Sequence, residues 1–129
     1  MSEDESAERH RLAGRQAGVY EVTTQSGVLP KVLAEWGWRV GVLRTEGIDD
    51  RRTLLLAIGR ALDLPDWYGA NLDALADCLT DLDRPTALVL DSWPRPTEIP
   101  GWDAVVDVLT DRVRDQERAA FALVMDRSG

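Results

Sequence analysis

The sequence predicts a small α/β layered domain with a mostly parallel sheet flanked by helices. Three observations predict it. Short runs of β-forming residues alternate along the chain with stretches whose apolar residues recur at helical spacing. Two of those runs, Thr86-Ala-Leu-Val-Leu-Asp91 and Ala120-Phe-Ala-Leu-Val-Met125, are apolar at successive positions, as strands buried on both faces are. At 129 residues the chain is long enough to bury one core, and its 44% hydrophobic and 29% charged residues exclude wholesale disorder.

Each element follows in order. Residues 1 to about 18 are polar and carry the one histidine, His10, which reads as an arm that is either frayed or a short helix. The remainder, 19–129, reads as the folded domain. Val19-Tyr-Glu-Val-Thr-Thr24 alternates like a strand and meets Gln25-Ser-Gly27. Leu29 to Trp36 reads as a helix with Pro30 in its first turn and Gly37 as its stop. Trp38 to Leu43 is a strand, and Asp49 or Asp50 caps a helix that runs through Thr53-Leu-Leu-Leu-Ala-Ile58 to Leu62. After the loop Asp63–Ala70, Asn71 is a good N-cap for a helix reaching about Leu82. Thr86–Asp91 is a strand, the proline-bearing stretch Ser92–Gly101 a loop, Trp102 to about Arg118 a helix, and Ala120–Met125 the last strand.

Composition excludes several functions. One cysteine, Cys78, and one histidine leave no intramolecular disulfide, no cysteine-cluster zinc site and no His-dependent triad. No apolar run has the length of about 18–20 residues that a membrane span needs. The acidic start Met1-Ser-Glu-Asp-Glu-Ser-Ala-Glu8 lacks the basic-then-apolar order of a signal peptide, so a cytoplasmic chain is expected. The formal net charge is −8, from 23 Asp+Glu against 15 Lys+Arg. Between Ala61 and Asp83 stand six acids (Asp63, Asp66, Asp73, Asp77, Asp81, Asp83) and no Lys or Arg. That balance disfavours binding nucleic acid through its phosphates and suits a basic partner. Neither a cofactor nor a metal is expected.

Two helices carry acids in columns. At 100° per residue, Leu72, Leu75, Leu79 and Leu82 share one side of the second-last helix, and Asp73, Asp77 and Asp81 lie opposite. Like charges one turn apart destabilise a helix by a few tenths of a kcal/mol per pair, and only Asp73 gains from the helix dipole. Spacing alone allows either a solvated face or charge kept for a partner's cations. The last helix repeats the pattern with Asp103, Asp107, Asp111 and Asp115 opposite Val105, Val106, Leu109 and Val113, and Arg112 and Arg114 dilute the charge. Val108 is expected exposed beside that column, where it suits the apolar centre of an interface. The loop before the acidic helix sets Trp67 and Tyr68 beside Gly69, although core packing is the simpler role for either aromatic and Tyr68 is expected mostly buried.

The run Leu64-Pro-Asp-Trp-Tyr-Gly-Ala-Asn-Leu-Asp-Ala-Leu-Ala-Asp-Cys-Leu-Thr80 resembles the signature of the barstar family, intracellular inhibitors of secreted microbial ribonucleases. The resemblance covers about Trp38 to Met125 and leaves the first 37 residues outside. It implies a three-stranded parallel sheet and a helix plus its preceding loop that plug an enzyme's active site, while the N-terminal addition outside it reads as either an extra strand on the sheet edge or a second contact surface. It implies that Asp77 mimics the substrate phosphate and that Asp73 pairs with an arginine at the rim. Trp67 would stack on the enzyme's catalytic histidine and Asp111 meet a further arginine. Gly69, Asn71, Ala76, Thr80, Asp81 and Val108 complete the expected contact surface. Trp67 stands where the best-known member has tyrosine, and Ala76 and Leu82 stand where it has large aromatics. The implied partner is a guanyl-type microbial ribonuclease held one-to-one by a monomer.

Three rival classes are weaker. A helix displaying carboxylates outward makes no catalytic cleft, and no nucleotide-binding glycine motif or Gly-x-Ser-x-Gly is present. Homodimerisation through the acidic face would set like charges together. An acidic, antitoxin-like module for a different basic nuclease or protein is the alternative that remains.

Overall fold

In the computed structural model, which describes residues 3–23, 27–65, 68–91 and 99–126, four strands form one sheet and every pairing is parallel. The elements run α1 (Glu3–Ala13), β1 (Gly18–Val22), α2 (Leu29–Glu35), β2 (Arg39–Leu43), α3 (Arg51–Ala61), α4 (Leu72–Thr80), β3 (Thr86–Leu90), α5 (Trp102–Arg114) and β4 (Phe121–Asp126). The strand order is β1-β4-β3-β2. The three strands of the family-like region are therefore extended at one edge by β1, so the sheet has four strands where the resemblance alone gives three.

The continuous apolar runs are explained by burial on both faces. Along β3, Leu88 and Leu90 point into a core shared with α3, α4 and α5, while Ala87 and Val89 point into a second core beneath α1 and α2. β4 divides in the same way, with Phe121 and Leu123 on the first side and Ala122 and Val124 on the second. β1 shows what an edge strand does instead. Tyr20 and Val22 are buried, and Val19 and Glu21 face outward. The Glu21 amide donates to the Glu8 carboxylate of α1, which covers part of that open edge.

Of the two readings for the N-terminal residues, the helix is the one found. Leu12 of α1 is fully buried, and the Trp38 indole N–H donates to the Leu12 carbonyl at 2.8 Å. Asp50, rather than Asp49, caps α3 by accepting the Thr53 amide. One boundary is corrected. α5 ends at Arg114, not near Arg118, because the Asp115 carboxylate accepts the Glu117 amide and the Arg118 guanidinium and so offers the chain a turn in place of another helical one.

Candidate functional site

The candidate site is built on α4 and the segment leading into it. Asn71 closes the N-terminus of α4, its Oδ1 accepting the Ala74 amide at 2.8 Å. Leu75, Cys78 and Leu79 are buried against the core and Leu82 follows them, which fixes the rotation of the helix about its axis. That rotation leaves Asp73, Ala76, Asp77 and Thr80 exposed, with Asp81 exposed at the C-cap. Among the described residues no cation pairs with Asp73, Asp77 or Asp81. Thr80 returns its hydroxyl to the Ala76 carbonyl at 3.0 Å, and the remaining polar side chains of the row face solvent.

The entry to α4 is pinned from below. Tyr68 is half-buried, its hydroxyl donating to the Leu55 carbonyl at 2.9 Å. Its ring lies on Gly59 of α3, where a Cβ would stand 2.7 Å from the ring edge. Burial pushes the Tyr68 hydroxyl up to about 12. Gly69 is exposed, and the left-handed backbone at this corner belongs to Ala70 with φ 52° rather than to Gly69. A non-glycine residue in that region is strained, and here it is held between the Tyr68 anchor and the Asn71 cap. Trp67 lies outside the described residues.

α5 lies beside α4 and presents the second acidic column. Asp103, Asp107 and Asp111 are exposed, and Val105 and Leu109 are buried. Val108 is half-buried rather than exposed, because α4 packs along that flank. It forms, with Ala76, Thr80 and Asp111, the wall of a cleft of about 200 Å3 between the two helices. The structure therefore gathers Ala76, Thr80, Val108 and Asp111 at one place, next to Asp77 and Asp81. Asn71 and Asp73 line a separate cavity at the other end of α4.

The largest departure from the sequence reading is Arg112. Instead of diluting charge at the surface it is buried, 5% exposed, and its guanidinium donates to the carbonyls of Leu79 at 2.8 Å, Ala119 at 2.7 Å and Leu82 at 3.5 Å. It also lies 5.9 Å from the centre of the Phe121 ring. Burial pulls its pKa down and the neighbouring Asp115 pushes it back up, and a guanidinium stays charged throughout. The signal was in the spacing. Arg112 continues the stripe Trp102, Val105, Leu109 at i+3, so helical periodicity alone turns it inward. Cys78 is buried, and its thiol is pushed up by that burial first and by Asp81 and Asp77 second.

Among the described residues no group of three or more His, Cys, Asp or Glu has the geometry to hold a metal, and no helix is long and apolar enough to cross a membrane. Comparison with known proteins agrees with the geometry. A family model described as Barstar (barnase inhibitor) matches residues 38–125. A protein of Bacillus subtilis (strain 168) named "Putative ribonuclease inhibitor YrdF" is 37% identical over 68 residues, which cover 50% of this chain and 74% of that protein. The matched region begins just before β2 and includes all of α3, α4, α5, β3 and nearly all of β4, whereas α1, β1 and α2 lie outside it.

Proposed function

This chain belongs to the barstar family, and from that premise we propose that it inhibits a small basic ribonuclease of the secreted, guanyl-preferring microbial type by plugging its active site with α4 and the loop before it. The observation that carries the reading is the exposed row Asp73, Asp77 and Asp81, with no counter-ion among the described residues. A protein that needed only solubility gains nothing from stacking three carboxylates one turn apart on a short helix.

The chemistry follows from the substrate. A ribonuclease cleft is built of cations that hold phosphate, so carboxylates fixed on a capped helix occupy it without the cost of ordering a loop. Asp77 takes the place of the phosphate and Asp73 meets a cation at the rim. Asp81, Thr80 and Asp111 extend the contact along the groove between α4 and α5. Trp67 and Gly69 approach the catalytic groups from the loop, with Asn71 holding the loop–helix corner. Ala76 and Val108 supply the apolar centre. The chain is a non-enzyme in this reading, as an inhibitor is, and acts as a cytoplasmic monomer that binds one enzyme, since two acidic faces repel each other. The cleft beside Ala76 favours a partner whose surface fills it.

Titration of the chain into barnase while following RNA cleavage tests the proposal. Activity should vanish near one equivalent, and the association rate should fall steeply as salt rises. Undiminished cleavage across a panel of basic microbial ribonucleases would overturn it.

A further inference from the structure

The first turns of α3 and α4 open on one cavity of about 590 Å3 at the edge of the acidic face, and its walls include Arg51 and Arg52 as well as Asn71 and Asp73. Both arginines are exposed. Among the described residues neither guanidinium holds an ion pair or a hydrogen bond, in a chain with 23 acidic residues. Arg51 is nonetheless held at its base. Its aliphatic stem lies over Gly101, whose backbone is left-handed at φ 82° and whose missing Cβ makes the room, since a Cβ there would stand 2.6 Å from Arg51 Cδ. Two cations thus interrupt the aspartate row at one end.

The geometry points to a carboxylate-reading site: the cavity receives an Asp or Glu side chain of the partner enzyme, beside the partner cation that meets Asp73. This rests on the inhibitor reading and adds to it the feature by which one basic ribonuclease is told from another. Guanidinium groups bind carboxylates in a two-pronged fork, so a pair of them, one on a stem held over Gly101, reads position as well as charge. An enzyme lacking the acid would bury two unpaired cations against its surface, which excludes it even where its basic residues suit the aspartates. An RNA phosphate is the less suitable occupant. A strand carries a charge at every nucleotide, and the phosphates next to the bound one would fall on Asp73 and the −6 segment behind it.

Two measurements test the assignment. In the free protein, the side-chain Nε–Hε signals of Arg51 and Arg52 and the amides of Leu72 and Asp73 are followed by NMR against glutarate and against dimethyl phosphate, a stand-in for the RNA backbone. Glutarate should move these signals saturably at tens of millimolar, and dimethyl phosphate should not. Preference for dimethyl phosphate, or no response to either, overturns the proposal. The second measurement is the affinity of R51E/R52E for barnase, with R51Q/R52Q alongside. Acidic residues suit the first turn of a helix, so both variants should fold. General attraction to a basic enzyme predicts that R51E/R52E, more acidic by four charges, binds faster and tighter. A carboxylate-reading cavity predicts the opposite sign, about tenfold weaker binding or more, with R51Q/R52Q intermediate. Equal or tighter binding by R51E/R52E overturns the proposal. The two readings fail separately. A chain that inhibits no ribonuclease yet keeps the glutarate response retires the inhibitor reading alone. Tight inhibition without that response, and without loss in R51E/R52E, retires the cavity alone.

Discussion

α4 and α5 carry the same column of aspartates at the same spacing and differ in where their cations go. α4 has no basic residue in its last turn, and its exposed carboxylates are unpaired among the described residues. α5 ends in Arg112 and Arg114 and is followed by Arg118. Yet neither Arg112 nor Arg118 neutralises α4's acids. Arg112 donates to the Leu79 and Leu82 carbonyls and Arg118 to the Thr80 carbonyl at 3.4 Å, so both serve the backbone at the C-terminal end of α4. The last carbonyls of any helix lack partners inside it. Here Arg112 of the neighbouring helix and Arg118 just beyond it add side-chain donors and leave the carboxylate row untouched. The arrangement stabilises α4 as a rigid carrier while keeping its charge available, which is what a surface meant for a cationic cleft requires.

The sharpest way to break this comparison is to remove acids from each helix in turn. Asp77→Ala and Asp73→Ala should each cost several kcal/mol of binding to an inhibited ribonuclease, within the roughly 4–8 kcal/mol that the strongest interface residues reach, a range to which this family's own complexes contribute. Asp107→Ala on α5 should cost less than about 1 kcal/mol, as an exposed charge at a rim does. Binding constants from calorimetry decide it, and equal losses on the two helices would show that only total charge matters. Next in size is Arg112→Met. It removes the guanidinium that serves three carbonyls at a buried junction, of which Leu79 alone keeps the Leu82 amide, for a loss of about 3 kcal/mol in urea unfolding. Arg112→Lys should recover only part, because one ammonium does not span the three acceptors. An unchanged urea midpoint would mean that α4 does not depend on α5 for its C-terminal end.

Much of this was legible in the sequence, and what was not has a physical reason. The strands β3 and β4, the Asn71 cap and the leucine stripe of α4 follow from local periodicity and capping, which are properties of neighbouring residues. Val108 depends on which helix packs against which flank, a tertiary fact. Composition weighed Arg112 as surface charge although its spacing from Val105 and Leu109 already turned it inward. The end of α5 was set by a competing side-chain turn at Asp115. The cavity at Arg51 and Arg52 joins residues about twenty positions apart and needs a glycine at 101, so no local pattern announces it.

Two smaller effects sharpen the account of α4 as a fixed carrier. Asn71→Ala should lower stability by about 1 kcal/mol through loss of the cap, read from the urea midpoint. At alkaline pH the Tyr68 anchor should fail in a defined window. Its hydroxyl ionises near 10 when unfolded and about 12 when folded, so the folded state favours the protonated form. That contribution is complete below pH 10 and is lost as pH rises from 10 towards 12, which stability measured across that window, with Tyr68→Phe as reference, should show.

The most direct test of the central claim is competition between the chain and guanosine 3′-monophosphate for the active site of one inhibited ribonuclease. If α4 occupies the phosphate-binding cations, the apparent Kd of the chain must rise linearly with the free nucleotide concentration, as competition for one site requires. An affinity that does not change as the nucleotide fills the site would place the chain elsewhere on the enzyme and contradict the account.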